Sequence, residues 1–396
     1  MNGDKNVYRA TKKRRRWPKW LGLAAGVAVV AVLALFLVST FAHLRVPKPT
    51  GPFAVGKIRE TWLDTSRSEW MTTATGDQRE VIALIWYPAV EGTGQKPSYV
   101  GDLGTLGPQL VASTKLSKAE VWGLRFVRDN ARWEADVAPA DKPYPVVVLS
   151  PGNGGNAEFY ASYAEDLASH GYVVVGLDHP YDVAAVALSD GSFAVFDPNQ
   201  WPAENPARQQ FFVRRMKERA TDVSFALDCL ARMNITSGPL KGKLDLERTG
   251  IMGHSMGGIT GAAACRQDAR LKACLNIDGS LGGGPFSARP GDVRPQQPFM
   301  YITKDQVLPA TYAARFEAPG GDSFRIVVPD TTHIEFADGP LFVPSLDPFA
   351  RHADRVIATT RAYTLAFFDR YLKGTAEPGF PRIQVPLKTQ VQVFGS

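Results

Sequence analysis

The chain has 396 residues, 44% hydrophobic and 21% charged, which excludes a disordered or fibrous protein and suits one large α/β domain or two ordinary ones. Its net charge of +6 belongs to a tail: residues 1–20 hold eight Lys/Arg against one Asp, leaving −1 for residues 21–396. The folded body therefore presents no nucleic-acid-binding charge.

In chain order, residues 1–20 read as a basic cytoplasmic tail and residues 21–44 as a membrane segment. Leu21 to Ala42 contains no charge, and its 22 residues form a helix of roughly 33 Å, the thickness of a bilayer core. Trp17 and Trp20 stand at the interface, and the Lys12–Arg16 run predicts an N-terminus inside with everything after residue 44 outside. The rival is a signal peptide cleaved near Thr40-Phe41-Ala42, but its apolar stretch is normally only about 7–15 residues. An uncleaved single-pass anchor is the expectation, and a secreted protein the alternative.

A Pro-rich linker, 45–52, leads into a domain expected over 53–373, followed by a C-terminal tail, 374–396. Phe53 to Leu63 and Arg79 to Tyr87 alternate as an antiparallel hairpin at a sheet edge. Residues 91–142 are irregular, with a helix predicted over Leu116 to Val127, and either cover a site or brace the fold. From Pro145 the pattern becomes βαβ, with strands at 146–149, 172–177, 248–252, 273–277, 299–303 and 324–328. Helices are expected at 157–169, 207–233, 258–264, near Thr311 and at 351–372. Short buried strands alternating with helices predict a mostly parallel, doubly wound sheet with helices on both faces. Cys229, Cys265 and Cys274 sit in apolar contexts and read as buried thiols; a Cys265–Cys274 bridge in an oxidising compartment is the alternative, for which spacing alone does not argue. No CxxC, HExxH or His/Asp cluster suggests a metal, and no cofactor is expected.

Gly253-His254-Ser255-Met256-Gly257 lies between a strand and a helix, the context in which G-x-S-x-G means a nucleophile elbow. The glycines admit a sharp turn, and the serine at its tip is held in a strained backbone conformation. A serine nucleophile needs a base, and that base needs an acid to hold its tautomer; on this fold the order is Ser, acid, His. His43, His170 and His179 precede the elbow, His254 lies inside it, and His352 sits near the last helix. His333, in the loop after strand 324–328, is the predicted base. Asp278 and Asp305 both end strands and both remain candidates for the acid, with Asp278 favoured because Gly279 permits a tight turn. The predicted oxyanion donors are the backbone N–H of Met256 and that of Asn153, in the Gly-rich loop 150–156.

These residues resemble the plasma/isoform II type of platelet-activating factor acetylhydrolase and its bacterial relatives, over about 53–373. The likeness rests on Leu149-Ser150-Pro151-Gly152-Asn153-Gly154, the segment 166–174, the elbow with Gly258, and Thr332-His333-Ile334-Glu335-Phe336-Ala337-Asp338. It implies an α/β-hydrolase fold and a calcium-independent serine esterase or lipase, with Ser255, Asp278 and His333 as its triad. Pro151 stands where the family has His, and Gly279-Ser280-Leu281-Gly282-Gly283-Gly284 replaces a bulkier stretch, which bears on the acyl pocket. Gly-His-Ser-Met-Gly-Gly is also similar to cutinase-type polyester hydrolases, whose acid lies nearer Asp305. The expected substrate is a small-molecule or lipid ester. A serine peptidase and a non-catalytic binding protein of the same fold are the remaining alternatives, and nothing bears on oligomeric state.

Overall fold

Val146 to Val148 and Val173 to Val175 are wholly buried, so neither face of these two runs meets water. That is the condition of parallel strands covered on both sides. The computed structural model describes residues 26–28, 30–32, 44–96, 99–101, 103–280, 295–305, 320–375 and 377–394. The long antiparallel pair β1 (Ala54–Ser68) and β2 (Gln78–Ala89) comes first, in register at Ile58 and Ile85. Helices α1 (Leu103–Ser113) and α2 (Lys118–Gly123) then precede the short β3 (Arg132–Trp133). The βαβ region runs β4 (Tyr144–Ser150), α3 (Ala161–Ser169) and β5 (Val173–Asp178). A small hairpin, β6 (Ala185–Ala187) and β7 (Phe193–Val195), stands apart from the main sheet. Next come α4 (Ala207–Ile235), β8 (Leu244–His254), α5 (Met256–Gln267), β9 (Leu271–Ile277), β10 (Phe299–Lys304), β11 (Ser323–Val328), α6 (Ala353–Phe368) and β12 (Gln390–Phe394).

Ten strands form one sheet in the order β12-β11-β10-β9-β8-β4-β5-β2-β1-β3. From β5 to β11 neighbours are parallel, whereas β2 on β5 and β12 on β11 are antiparallel. After β4 the chain steps to β5 on one side and then returns to β8 on the other. This reversal opens a crevice at the carboxyl ends of β4 and β8, the place where such sheets build sites. Alternate residues of the central strands, Val146, Val148, Val175 and Ile251, pack against Val223, Leu227 and Leu230 of α4 and Ala262 of α5. Their neighbours face the opposite layer, where α3 lies on the sheet and α6 packs on α3.

The predicted helix over Leu116 to Val127 is a short α2, begun by a Ser117–Glu120 capping box and continued as a 3-10 turn through Phe126. α1 carries Pro108 in its interior and two glycines, which hid it from a reading by periodicity. Gln390–Phe394, within the stretch expected to be a tail, adds the edge strand β12. One expectation is corrected. Cys265 and Cys274 are joined in a disulfide between α5 and β9, and only Cys229 is a buried thiol among the described residues. Their Cα atoms, 6.6 Å apart, lie within bridging range because α5 runs back along β9.

The predicted helix near Thr311 lies outside the described residues. So does the expected membrane anchor at 21–44, apart from 26–28 and 30–32, which are helical, and residue 44. Among the described residues no helix is long and apolar enough to cross a membrane.

Candidate active site

β8 ends at His254, and Ser255 breaks the strand with φ +56° and ψ −120° before α5 begins at Met256. A non-glycine residue there is strained. The turn is held by the Ser255 N–H, which donates to Ile277 O at 2.8 Å. Its tightness explains Gly257: a Cβ at that position would lie 1.8 Å from the Ser150 carbonyl oxygen, in the strand next door. The G-x-S-x-G pattern is thus a statement about how close β4 and β8 come at their ends.

Loops leaving β9 and β11, the strands on either side of β10, carry Asp278 and His333 towards the Ser255 hydroxyl at the end of β8. His333, five residues beyond β11, places Nε2 2.9 Å from Ser255 Oγ. Its Nδ1 lies 2.6 Å from Asp278 Oδ2. Asp278 directly follows β9, with φ +47°. Asn276 Oδ1 accepts the Gly279 N–H at 2.8 Å, closing the turn that points the carboxylate back over the sheet. Asp278 Oδ1 accepts from Thr303 Oγ1 at 2.7 Å and from the Lys304 N–H at 3.3 Å. Burial would raise the Asp278 pKa, but the hydrogen bonds from His333 and Thr303 and the His333 charge together hold it below the ordinary carboxylate value. The site is graded: the Asp278 side chain is 2% exposed and the His333 side chain 37%.

The other residues singled out in the sequence lie as follows. Asp305 is exposed at the end of β10, and the carboxylate on His333 is that of Asp278. His352 stands at the N-cap position of α6 without a side-chain capping bond, and its backbone N–H donates to Glu335 Oε1. The 150–156 loop lies against the elbow, since a Cβ on Gly152 would be 3.4 Å from Ser255 Cβ. Asn153 is exposed on that loop, and Met256 opens α5, whose N-terminus carries partial positive charge. Among the described residues neither N–H has a hydrogen-bond partner. Residues 281–284 of the Gly-rich stretch lie outside the described residues.

Two supporting residues were not anticipated. Thr303 fixes the Asp278 carboxylate, and buried Glu335 braces the His333 loop by accepting from the N–H groups of Thr332, Arg351 and His352. Thr303 reaches Asp278 across 25 positions and Glu335 reaches Arg351 and His352 across 16 and 17, and periodicity carries no signal for that. No group of three or more His, Cys, Asp or Glu side chains among the described residues is set to hold a metal ion.

Residues 38–345 match the family model of platelet-activating factor acetylhydrolase, isoform II. The chain is 25% identical over 343 residues to the platelet-activating factor acetylhydrolase of Cavia porcellus, covering 80% of this chain and 74% of that one. It is 24% identical over 295 residues to a probable 1-alkyl-2-acetylglycerophosphocholine esterase of Arthroderma benhamiae, covering 70% of each. A solved ferulic acid esterase from Streptomyces cinnamoneus superimposes with a TM-score of 0.69 at 25% identity, over 88% of this chain and 99% of that one.

Proposed function

The chain belongs to the platelet-activating factor acetylhydrolase, isoform II, family and is a carboxylic ester hydrolase, and from that premise we propose that Ser255, His333 and Asp278 perform the reaction. Ser255 Oγ attacks the ester carbonyl while His333 Nε2 takes its proton. The tetrahedral oxyanion is received by the N–H groups of Met256 and Asn153. His333 then returns the proton to the departing alkoxide, leaving an acyl-enzyme. Water, activated by the same imidazole, hydrolyses it. Asp278 keeps the Nδ1–H tautomer of His333, so that Nε2 faces the serine as an acceptor. The observation that carries this reading is the unbroken contact Asp278–His333–Ser255, at 2.6 and 2.9 Å.

The substrate follows from the relatives. Two bear names that specify an acetyl ester, which favours a short acyl group, on a glycerophospholipid or a smaller alcohol. The likeness to a ferulic acid esterase favours a second reading, an aromatic acyl group. Initial rates on acetyl, butyryl, octanoyl and feruloyl esters, with an acetyl glycerophospholipid, separate the two. Ser255→Ala should lower every rate by more than about 10⁴-fold; retained hydrolysis in that variant would refute the assignment.

We place the domain outside the cytoplasm. The Cys265–Cys274 disulfide suits an oxidising compartment, and Leu21 to Ala42 has the length and composition of a single-pass anchor or of a secretion signal. Retention in the membrane after alkaline carbonate washing marks the anchor, and recovery in the medium with residues 1–42 missing marks the signal.

A further inference from the structure

We infer that His254 and Tyr160 are positioning residues that lock the oxyanion loop to the base loop through one directional chain of hydrogen bonds. This rests on the proposed roles of Ser255 and His333. The chain begins at the Gly152 N–H, in the oxyanion loop, which donates to Tyr160 Oη at 3.1 Å. Tyr160 Oη lies 2.9 Å from His254 Nδ1. His254 Nε2 lies 3.0 Å from the backbone carbonyl oxygen of His333.

Chemistry leaves the direction no freedom. A carbonyl oxygen only accepts, so His254 Nε2 carries the proton. A neutral imidazole protonated at Nε2 has a bare Nδ1, so Tyr160 must donate its hydroxyl proton there. The Tyr160 lone pairs are then left to accept from Gly152, which they do. All three groups are satisfied in a single arrangement. Tyr160 and His254 are both buried, so water is a poor substitute for any of these bonds. Burial and the neighbouring His333 charge push the His254 pKa down to about 3, in keeping with a neutral ring.

The position in the chain gives these contacts their consequence. His254 precedes Ser255, so the residue that bends into the elbow also holds the loop behind Pro151 and the peptide of the base. Its ring packs against that of His333, tilted by 36° with centroids 4.6 Å apart. Donors, nucleophile and base are then set with respect to one another before substrate arrives, the condition under which they act in the transition state at no reorganisation cost. The elbow's variable position is in this chain a joint.

The test has two parts. In wild-type protein labelled with ¹⁵N-histidine, His254 should show the neutral Nε2–H tautomer at pH 7; an Nδ1–H tautomer or an imidazolium overturns the inference. Tyr160→Phe should lower kcat about 10- to 100-fold, the scale of small misplacements at a reacting centre, with KM held within about 3-fold. His254→Leu should cost at least as much. The double variant should be no slower than His254→Leu, since both break one chain. Losses that multiply, or single variants as fast as wild type, overturn the inference. A fluorophosphonate adduct on Ser255 is checked first: its absence refutes the triad, whereas the histidine tautomer still reports on the chain itself.

Discussion

At Asp278 two carboxylates competed on paper, and local geometry separates them. The strand-ending aspartate that reaches His333 is followed by Gly279 and preceded by Asn276, whose amide oxygen closes the turn. The other, Asp305, is exposed beyond Lys304. Asp278→Asn should therefore cost kcat on the order of 10⁴-fold by leaving His333 in the wrong tautomer, and Asp305→Asn should change it by less than about 3-fold. Steady-state rates on one acetyl ester decide, and the reverse ranking would transfer the role of acid to Asp305. Ser255 and His333 were legible because a nucleophile elbow and chain order are one-dimensional signals. The acid was less legible, because both candidates obey the same strand-end rule; Gly279 leaned the reading towards Asp278, and the resemblance to relatives leaned it further. Thr303 and Tyr160 could not be read at all, since their roles consist of contacts with residues 25 and 94 positions away.

The elements were most legible where burial is one-sided or complete, as in β4, β5 and α4, and least where the chain mixes turn types. α2 passes into a 3-10 turn, and β12 is a run of only five residues, Gln390–Phe394, placed after a stretch broken by Pro378, Pro381 and Pro386. The disulfide was not favoured for a related reason: the two cysteines stand nine positions apart, and it is the antiparallel run of α5 against β9 that brings them together. A loop of that size contributes roughly 2–3 kcal/mol by restricting the unfolded chain. Cys265→Ala should lower the unfolding free energy in denaturant titrations by about that amount. Stability unchanged from wild type under non-reducing conditions would mean that the bridge is not formed in the native protein.

At the scale of the whole domain, the site is where the strand order reverses, and a buried polar network lies beside it. Ser150, at the end of β4, contacts His179 Nε2 at 3.1 Å and accepts from Arg219 at 3.0 Å. His179 Nδ1 donates to Asp222 at 2.8 Å, and Asp222 pairs with Arg79 of β2. The oxyanion loop thus starts from a platform tied to α4 and the antiparallel edge. Burial and the Arg219 charge push the His179 pKa down to about 4, from an ordinary 6.5. Protons therefore bind the unfolded chain first, so this contribution to stability is full above pH 6.5 and is lost as the pH falls towards 4, on the order of 3 kcal/mol in all. The difference in unfolding free energy between wild type and His179→Gln should shrink by that amount between pH 7 and pH 4; a difference independent of pH would show that His179 is not held neutral. On the proposed mechanism, the fold, the platform and the loops after β4, β9 and β11 all serve one event, acylation of Ser255. Rapid acid quenching during turnover of an acetyl ester, followed by peptide mass spectrometry, tests this most directly. A single added acetyl group is expected on the peptide containing Ser255, absent in Ser255→Ala, whereas hydrolysis with the acetyl group on a different residue, or with none trapped on any serine, would rule out Ser255 as the nucleophile.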